Sequence, residues 1–287
     1  MEDNLTLLWG SGRLADQQLP AIERVPHHLA HAALAYHTSG FTEASVLVAD
    51  GQGEDVSTTF WHGRGTSLTE VARFPVSDSL GFFYTAVTRY LGFSPGSSGK
   101  TMGLAPMGQI TYDFPELTIL PGGYRVSAVG DSKAERMRWW LTRLTGIFGP
   151  SPRRSFATNP ATGRLETSLT LLPHHADAAA SAQAALERTL THLAGSAMTS
   201  TGSLNLVMSG GVALNCSTNG RLRRRVGSGD LYVSGAAHDG GTALGAALAV
   251  AATADDLPKP SRLRDLFLGP KFDVDPTVDM EAYSERP

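Results

Sequence analysis

His27 and His31 stand four residues apart in the alanine-rich run HHLAHAALAYH. On a helix their imidazoles rise from one face, a turn apart, within reach of a single metal ion. Alanine-rich helices also carry exposed or core-satisfied histidines, so the spacing alone leaves that alternative open. Two carboxylates sharpen the reading. Asp50 follows the apolar run Val46-Leu47-Val48-Ala49 and precedes Gly51 and Gly53, while Asp239 lies far downstream in AAHDGGTALGAALA. A carboxylate at the C-terminal end of a buried strand, beside glycines that let backbone come close, sits where open α/β sheets place ligands. Two histidines and two aspartates form a nitrogen and oxygen donor set that suits iron, manganese or zinc, without thiolates.

A second pattern lies beside the first. LNLVMSGGVALNCSTNG puts Gly210 and Gly211 between a strand and a helix, with Asn215 on the first turn. Glycines there let N–H groups approach a phosphate or ribose, and a helix N-terminus favours negative charge. The plain alternative is a tight connection that binds nothing. Asp239-Gly240-Gly241 repeats the arrangement after the next strand, and two such turns at adjacent strand ends favour a nucleotide crevice. Gly99-Lys100-Thr101 lacks the upstream glycine and the preceding strand of a Walker loop. Lys100 is either a loop cation reaching a phosphate or a solvent-exposed lysine.

The elements that must position these groups follow from periodicity. The histidine helix ends at Ser39-Gly40. Strands are expected at 45–49, 58–62 and 68–74, separated by glycine-containing turns that suggest antiparallel hairpins. DSLGFFYTAVTRYLGF reads as a helix with Asp78 and Ser79 as candidate caps and Phe82, Ala86 and Tyr90 on one face. Residues 95–115 read as a long loop, either functional or braced by other parts of the fold, 133–148 as an amphipathic helix whose Trp139 and Trp140 pack in the core or an interface, and 149–163 as irregular. In the second half come a helix at 178–200 with Ala182, Leu186, Leu190, Leu193 and Ala197 on one stripe, a strand at 204–208 and a helix at 213–224. A strand at 231–233 and an apolar helix at 242–252 complete it. The fold class is α/β, a mixed sheet in βββαβαβα order. That is one ribonuclease H-like unit of the actin-like ATPase superfamily, apparently one complete half. The division expected is an N-terminal extension at 1–26, a catalytic domain at 27–254 with an insert at about 95–175, and a tail at 255–287.

Composition limits the function. The chain of 287 residues is 41% apolar and 18% charged, ordinary for a globular protein able to bury a sizeable core. A formal net charge of -3 gives no reason to expect nucleic acid or an acidic membrane as partner. Arg221, Arg223, Arg224 and Arg225 read as the solvated end of a helix. Cys216 is the single cysteine, expected as a buried packing residue, and no internal disulfide can form, which points to a reducing compartment. No stretch is apolar for long enough to span a bilayer, and MEDNLTLLWGSGRL is not a secretory signal, so the expected location is cytoplasmic.

HHLAHAALAYHTSGF, VADGQGE, SLGFFYTAVTRYLGF, GKTMGLAPMG, SGGVALNCSTNGRL and DGGTALGAAL occur in that order. Together they resemble the O-carbamoyltransferases of the nodulation-protein and cephamycin-biosynthesis type, whose catalytic domain is related to the tRNA threonylcarbamoyl transferases. The resemblance covers roughly residues 25 to 250. It implies transfer of a carbamoyl group from carbamoyl-adenylate, made from carbamoyl phosphate and ATP, to a hydroxyl of a natural-product or sugar acceptor. It also implies iron, with His27, His31, Asp50 and Asp239 at the metal positions and Gly81, Gly211 and Asn215 at positions that hold the adenylate. Gly51, Gly210 and Lys100 join that cofactor-binding set, and Asp50 and His31 are the catalytic candidates. In that family a further N-terminal half contacts phosphate and acceptor, and a C-terminal domain activates the donor. A homodimer or partner subunit is expected to supply both, and to cover apolar surface on the histidine helix and the last helix. The reading from a different class is a non-catalytic nucleotide- and metal-binding module, or a subunit of a split enzyme. A kinase of the actin-like superfamily is disfavoured by the missing phosphate hairpin.

Overall fold

Val46, Leu47, Val48 and Ala49 are all buried because the strand they form is covered on both faces. In the computed structural model, which describes residues 22–158, 163, 165–225, 229–254, 257, 262–266 and 269, that strand is β1 (Glu43–Ala49). It is the centre of a five-stranded sheet with β2 (Val56–Arg64), β3 (Ser67–Pro75), β8 (Leu206–Ser209) and β9 (Leu231–Val233), ordered β3-β2-β1-β8-β9. The β1–β2 and β2–β3 pairs are antiparallel, while β1–β8 and β8–β9 are parallel. Period-two alternation divides the apolar residues between two clusters. Val46, Val48, Val207 and Tyr232 pack with Ala32, Ala35 and Tyr36 of helix α1 (His27–His37), whereas Leu47, Ala49, Phe60, Leu206 and Met208 join the larger cluster on the other face.

Helices α2 (Leu80–Tyr90), α4 (Lys133–Phe148) and α5 (Pro173–Thr201) contribute most of that larger cluster. The stripe Ala182, Leu186, Leu190, Leu193 and Ala197 is buried as expected, and so is Trp140, while Trp139 is only partly covered. Ser79 accepts from the Phe82 amide and caps α2. Asp78 instead turns inward, accepting from the Val126 amide. The buried face of α2 also differs from expectation. Phe83, Tyr84 and Val87 accompany Ala86 and Tyr90, and Phe82 is left half-exposed against Gly51.

Other expectations need correction. Residues 95–115 contain a short helix α3 (Ser98–Leu104) and the 3-10 turn Ala105–Met107; the glycines that suggest loop are accommodated because α5 supplies the packing. Of the two alternatives left for that segment, the structure shows bracing: the Gln109 amide donates to Asp177, and the Thr111 and Tyr112 amides donate to Ser181. A hairpin, β4 (Leu117–Leu120) with β5 (Gly123–Val126), follows. The stretch read as irregular begins a second hairpin, β6 (Arg153–Thr158) with β7 (Leu165–Thr170), which pairs outside the main sheet. The helix expected from 213 starts as the 3-10 turn Gly211–Leu214 and becomes α6 (Cys216–Arg225), with Cys216 exposed on its first turn. Most of α1 is not left open, because α7 (Thr242–Thr253) lies across it: a Cβ on Gly245 would meet the Ala30 carbonyl and Leu34. Ala243, Ala247 and Val250 on the outer side of α7 are exposed. Residues 1–21 of the expected extension and nearly all of the tail lie outside the described residues. Among the described residues, no helix is long and apolar enough to cross a membrane.

Candidate metal centre and adjoining glycine turns

Strand register explains why the four sequence-predicted ligands meet. Val46 and Val48 point to α1, so Asp50, two residues on, leaves the strand on that same face. Its Oδ2 lies 3.1 Å from His27 Nε2 and 3.7 Å from His31 Nε2. The histidine spacing does the rest, bringing the two Nε2 atoms to 3.1 Å of each other. Asp239 enters from the 3-10 turn Asp239–Gly241 that opens α7, with Oδ1 3.6 Å from His27 and 3.5 Å from His31. One ligand atom from each of the four lies within 4.8 Å of every other. His31 is fully buried, whereas the Asp239 side chain is 76% exposed, so the cluster is open to solvent on one side.

The surroundings orient the donors as a metal site requires. Val48 of β1 pairs with Ser209 of β8, which puts the Ser209 hydroxyl on the α1 face. There His31 Nδ1 lies 3.2 Å from Ser209 Oγ, whose own hydrogen is directed to the Ala237 carbonyl at 3.4 Å. That leaves Nδ1 as the donor and turns the Nε2 lone pair toward the cluster. Asp50 is fixed from the opposite side, since Oδ1 accepts from the Gly211 amide at 2.8 Å. Burial pushes the Asp50 carboxyl upward. Interactions with His31, the Gly211 and Gly51 amides and His27 outweigh it and hold the group well below the usual carboxylate range. Two carboxylates and two imidazole nitrogens thus fit a divalent cation in charge, atom type and proximity. Glu54, which sequence reasoning missed, accepts from the His27 amide and satisfies the start of a helix that has no side-chain cap of its own.

The glycines beside the cluster permit close approach. A Cβ on Gly81 would lie 2.7–2.9 Å from the backbone of Asp50 and Gly51, so α2 packs directly on the end of β1. Gly210 has φ +89° and crosses Ala49, whose carbonyl a Cβ would overlap. Gly211 lies against Asp50 Oδ1, where a Cβ would come to 2.9 Å. Asn215 is buried and caps α6: its Oδ1 accepts from the Thr218 amide and hydroxyl, and its amide pairs with that of Gln183. Lys100 lies apart, exposed on α3 with its ammonium 5.9 Å from the Phe93 ring centroid. Among the described residues, no hydrogen bond or ion pair joins it to the cluster. Gln183, Glu187 and Tyr84 also escaped the sequence reading, since nothing in a helical stripe reveals which polar residue turns inward.

Residues 5–248 match the family model described as Carbamoyltransferase N-terminus. Nodulation protein NolNO of Sinorhizobium fredii is 35% identical over 266 residues, covering 91% of this chain and 36% of NolNO. Nodulation protein NolO of Bradyrhizobium diazoefficiens is 34% identical over 261 residues, covering 89% of this chain and 43% of NolO. An uncharacterized protein of Synechocystis, sll1178, is 34% identical over 286 residues, 96% of this chain and 44% of the relative. The chain spans 36–44% of the length of these relatives. Among solved structures, T. kodakarensis HypF superposes with a TM-score of 0.45 and 15% identity over 89% of this chain and 40% of HypF.

Proposed function

This chain belongs to the Carbamoyltransferase N-terminus family, and from that premise we propose that it transfers a carbamoyl group from carbamoyl-adenylate to a hydroxyl of a small natural-product or sugar acceptor. The observation that carries the reading is the convergence of His27, His31, Asp50 and Asp239 beside the glycine turns at the ends of β1 and β8. The order β3-β2-β1-β8-β9, with β2 antiparallel to both neighbours, supports the ribonuclease H-like assignment. The relatives carry more than half their length outside the matched part, and donor activation from ATP and carbamoyl phosphate is assigned to sequence of that kind, in the same polypeptide or a partner. A cytoplasmic setting agrees with the single, unpaired Cys216.

The four ligands would hold Fe(II), with zinc or manganese as the alternatives, and the bound ion supplies Lewis acidity toward the carbamoyl or phosphate oxygen. Asp50 stays ionised, which suits it to ligation more than to taking the acceptor's proton. His31 presents its Nε2 because Ser209 occupies Nδ1. Exposed Asp239 marks the side from which donor and acceptor reach the cluster. Gly51, Gly81, Gly210, Gly211 and Asn215 shape the adenylate side by keeping α2, β1 and the Gly211–Leu214 turn close together. Lys100 is assigned to the phosphate on the Gly99-Lys100-Thr101 sequence alone.

Metal analysis of the purified protein and of His31→Ala tests the first half of the reading, with stoichiometric metal expected only in the former. Incubation with synthetic carbamoyl-adenylate and a panel of hydroxylated acceptors tests the second, a carbamoylated product being detected by mass. Stoichiometric metal with no product from any acceptor would leave a binding module rather than a transferase.

A further inference from the structure

Gln183 lies in the middle of α5, 32 positions before Asn215, yet the two side-chain amides form a reciprocal pair. Gln183 Nε2 donates to Asn215 Oδ1 and Asn215 Nδ2 donates to Gln183 Oε1, both at 2.9 Å. The remaining capacity of Gln183 is also taken. Its Oε1 accepts from the Tyr84 hydroxyl at 2.7 Å, and its Nε2 donates to Glu187 Oε1 at 2.8 Å. Glu187 Oε2 in turn pairs with Arg221 Nε at 2.8 Å. Tyr84, Gln183, Glu187 and Asn215 are all buried, so each hydrogen bond replaces one that water no longer supplies. The orientation is fixed too. A carboxylate can only accept, so Glu187 draws the NH2 end of Gln183 toward itself, and the amide cannot flip without burying an unpaired group.

The chain of contacts continues to the ligands. Asn215 closes the turn Gly211–Leu214, and the Gly211 amide at the other end of that turn holds Asp50 Oδ1 while Oδ2 faces His27. We infer that Gln183 is a positioning residue for the metal centre: through Asn215 it fixes the turn that holds Asp50 in its ligating orientation. This rests on the metal-binding reading above.

The test uses zinc and cobalt(II) with the full chain. Loss of a contact in the shell directly outside metal ligands costs roughly 10–100-fold in affinity. Gln183 acts one step further out, so Gln183→Leu should raise the zinc Kd by about three- to tenfold and change the visible spectrum of bound cobalt(II). Gln183→Met, which keeps the length and volume of the side chain but can neither donate to Asn215 Oδ1 nor accept from Asn215 Nδ2, should weaken zinc by the same factor as Gln183→Leu. A residue needed only for packing would tolerate methionine. Equal zinc affinity and an identical cobalt spectrum in Gln183→Leu would overturn the inference, as would parent-like zinc affinity in Gln183→Met when both proteins melt like the parent. Should Gln183→Leu fail to fold, Tyr84→Phe removes one hydroxyl from the same carbonyl, and an unchanged zinc Kd there overturns it equally. A parent protein that binds neither ion defeats the metal reading itself, which is a different result.

Discussion

Ser209 carries the sharpest consequence of a single atom in this chain. Its hydroxyl accepts the hydrogen bond donated by His31 Nδ1–H, and without it that nitrogen has no partner in a fully buried ring. Ser209→Ala should therefore keep the fold and weaken metal by about tenfold or more, as outer-shell losses at histidine ligands do. Competition against a chelator of known affinity measures it, and an unchanged constant would show that the ring is held by packing alone. The two histidines were legible because helical periodicity converts a spacing of four into a shared face. Asp50 was legible because a carboxylate after an apolar run marks a strand end. Ser209 was not, since its place opposite Val48 is set by the parallel register of two strands some 160 residues apart, which no local pattern encodes.

At the scale of elements, strands and helices with strong periodicity could be read directly, including all five strands of the main sheet and the stripe of α5. The helix at 98–104 and the hairpin that starts at 153 could not. The former is short and glycine-bearing and stands on contacts with α5, so tertiary packing decides against local propensity. The last helix illustrates a signal that was visible but not interpreted. TALGAALAVAAT is apolar around its circumference, and its single glycine marks where it crosses α1 against the Ala30 carbonyl. That crossing also sets where Asp239 stands, one turn ahead of α7. Gly245→Val should force the two helices apart, destabilise the protein by about 2–3 kcal/mol as overpacking does, and draw Asp239 away from the histidines. Denaturant unfolding reads the first effect and metal stoichiometry the second. A variant with reduced stability and full metal binding would separate the crossing from the site.

For the molecule as a whole, three histidines outside the cluster of His27, His31, Asp50 and Asp239 connect stability to pH, the most strongly shifted being His28, which burial lowers to about 4. His175 accepts from the Leu172 amide through Nδ1 and contacts the Pro150 carbonyl through Nε2, which requires one proton on the ring and leaves no place for a second. Burial lowers its affinity for that second proton, and the neighbouring His174 acts the same way, against a smaller opposing pull from Pro150. His37 is lowered by burial, and its Nε2 is buried without a hydrogen-bond partner. In the unfolded chain all three titrate near the ordinary value of 6.5. As pH falls through that value the unfolded state takes up protons that the folded state refuses, so stability must drop. The loss begins near pH 6.5 and levels off only below the depressed folded values, with a slope of at most one proton for each histidine. Melting temperatures from pH 7.5 to about 5 should decline accordingly, ahead of the range in which carboxylates titrate. His175→Gln, whose amide can still accept from Leu172 and donate to Pro150 but cannot ionise, should flatten that decline. A slope unchanged in His175→Gln would assign the acid sensitivity to other groups.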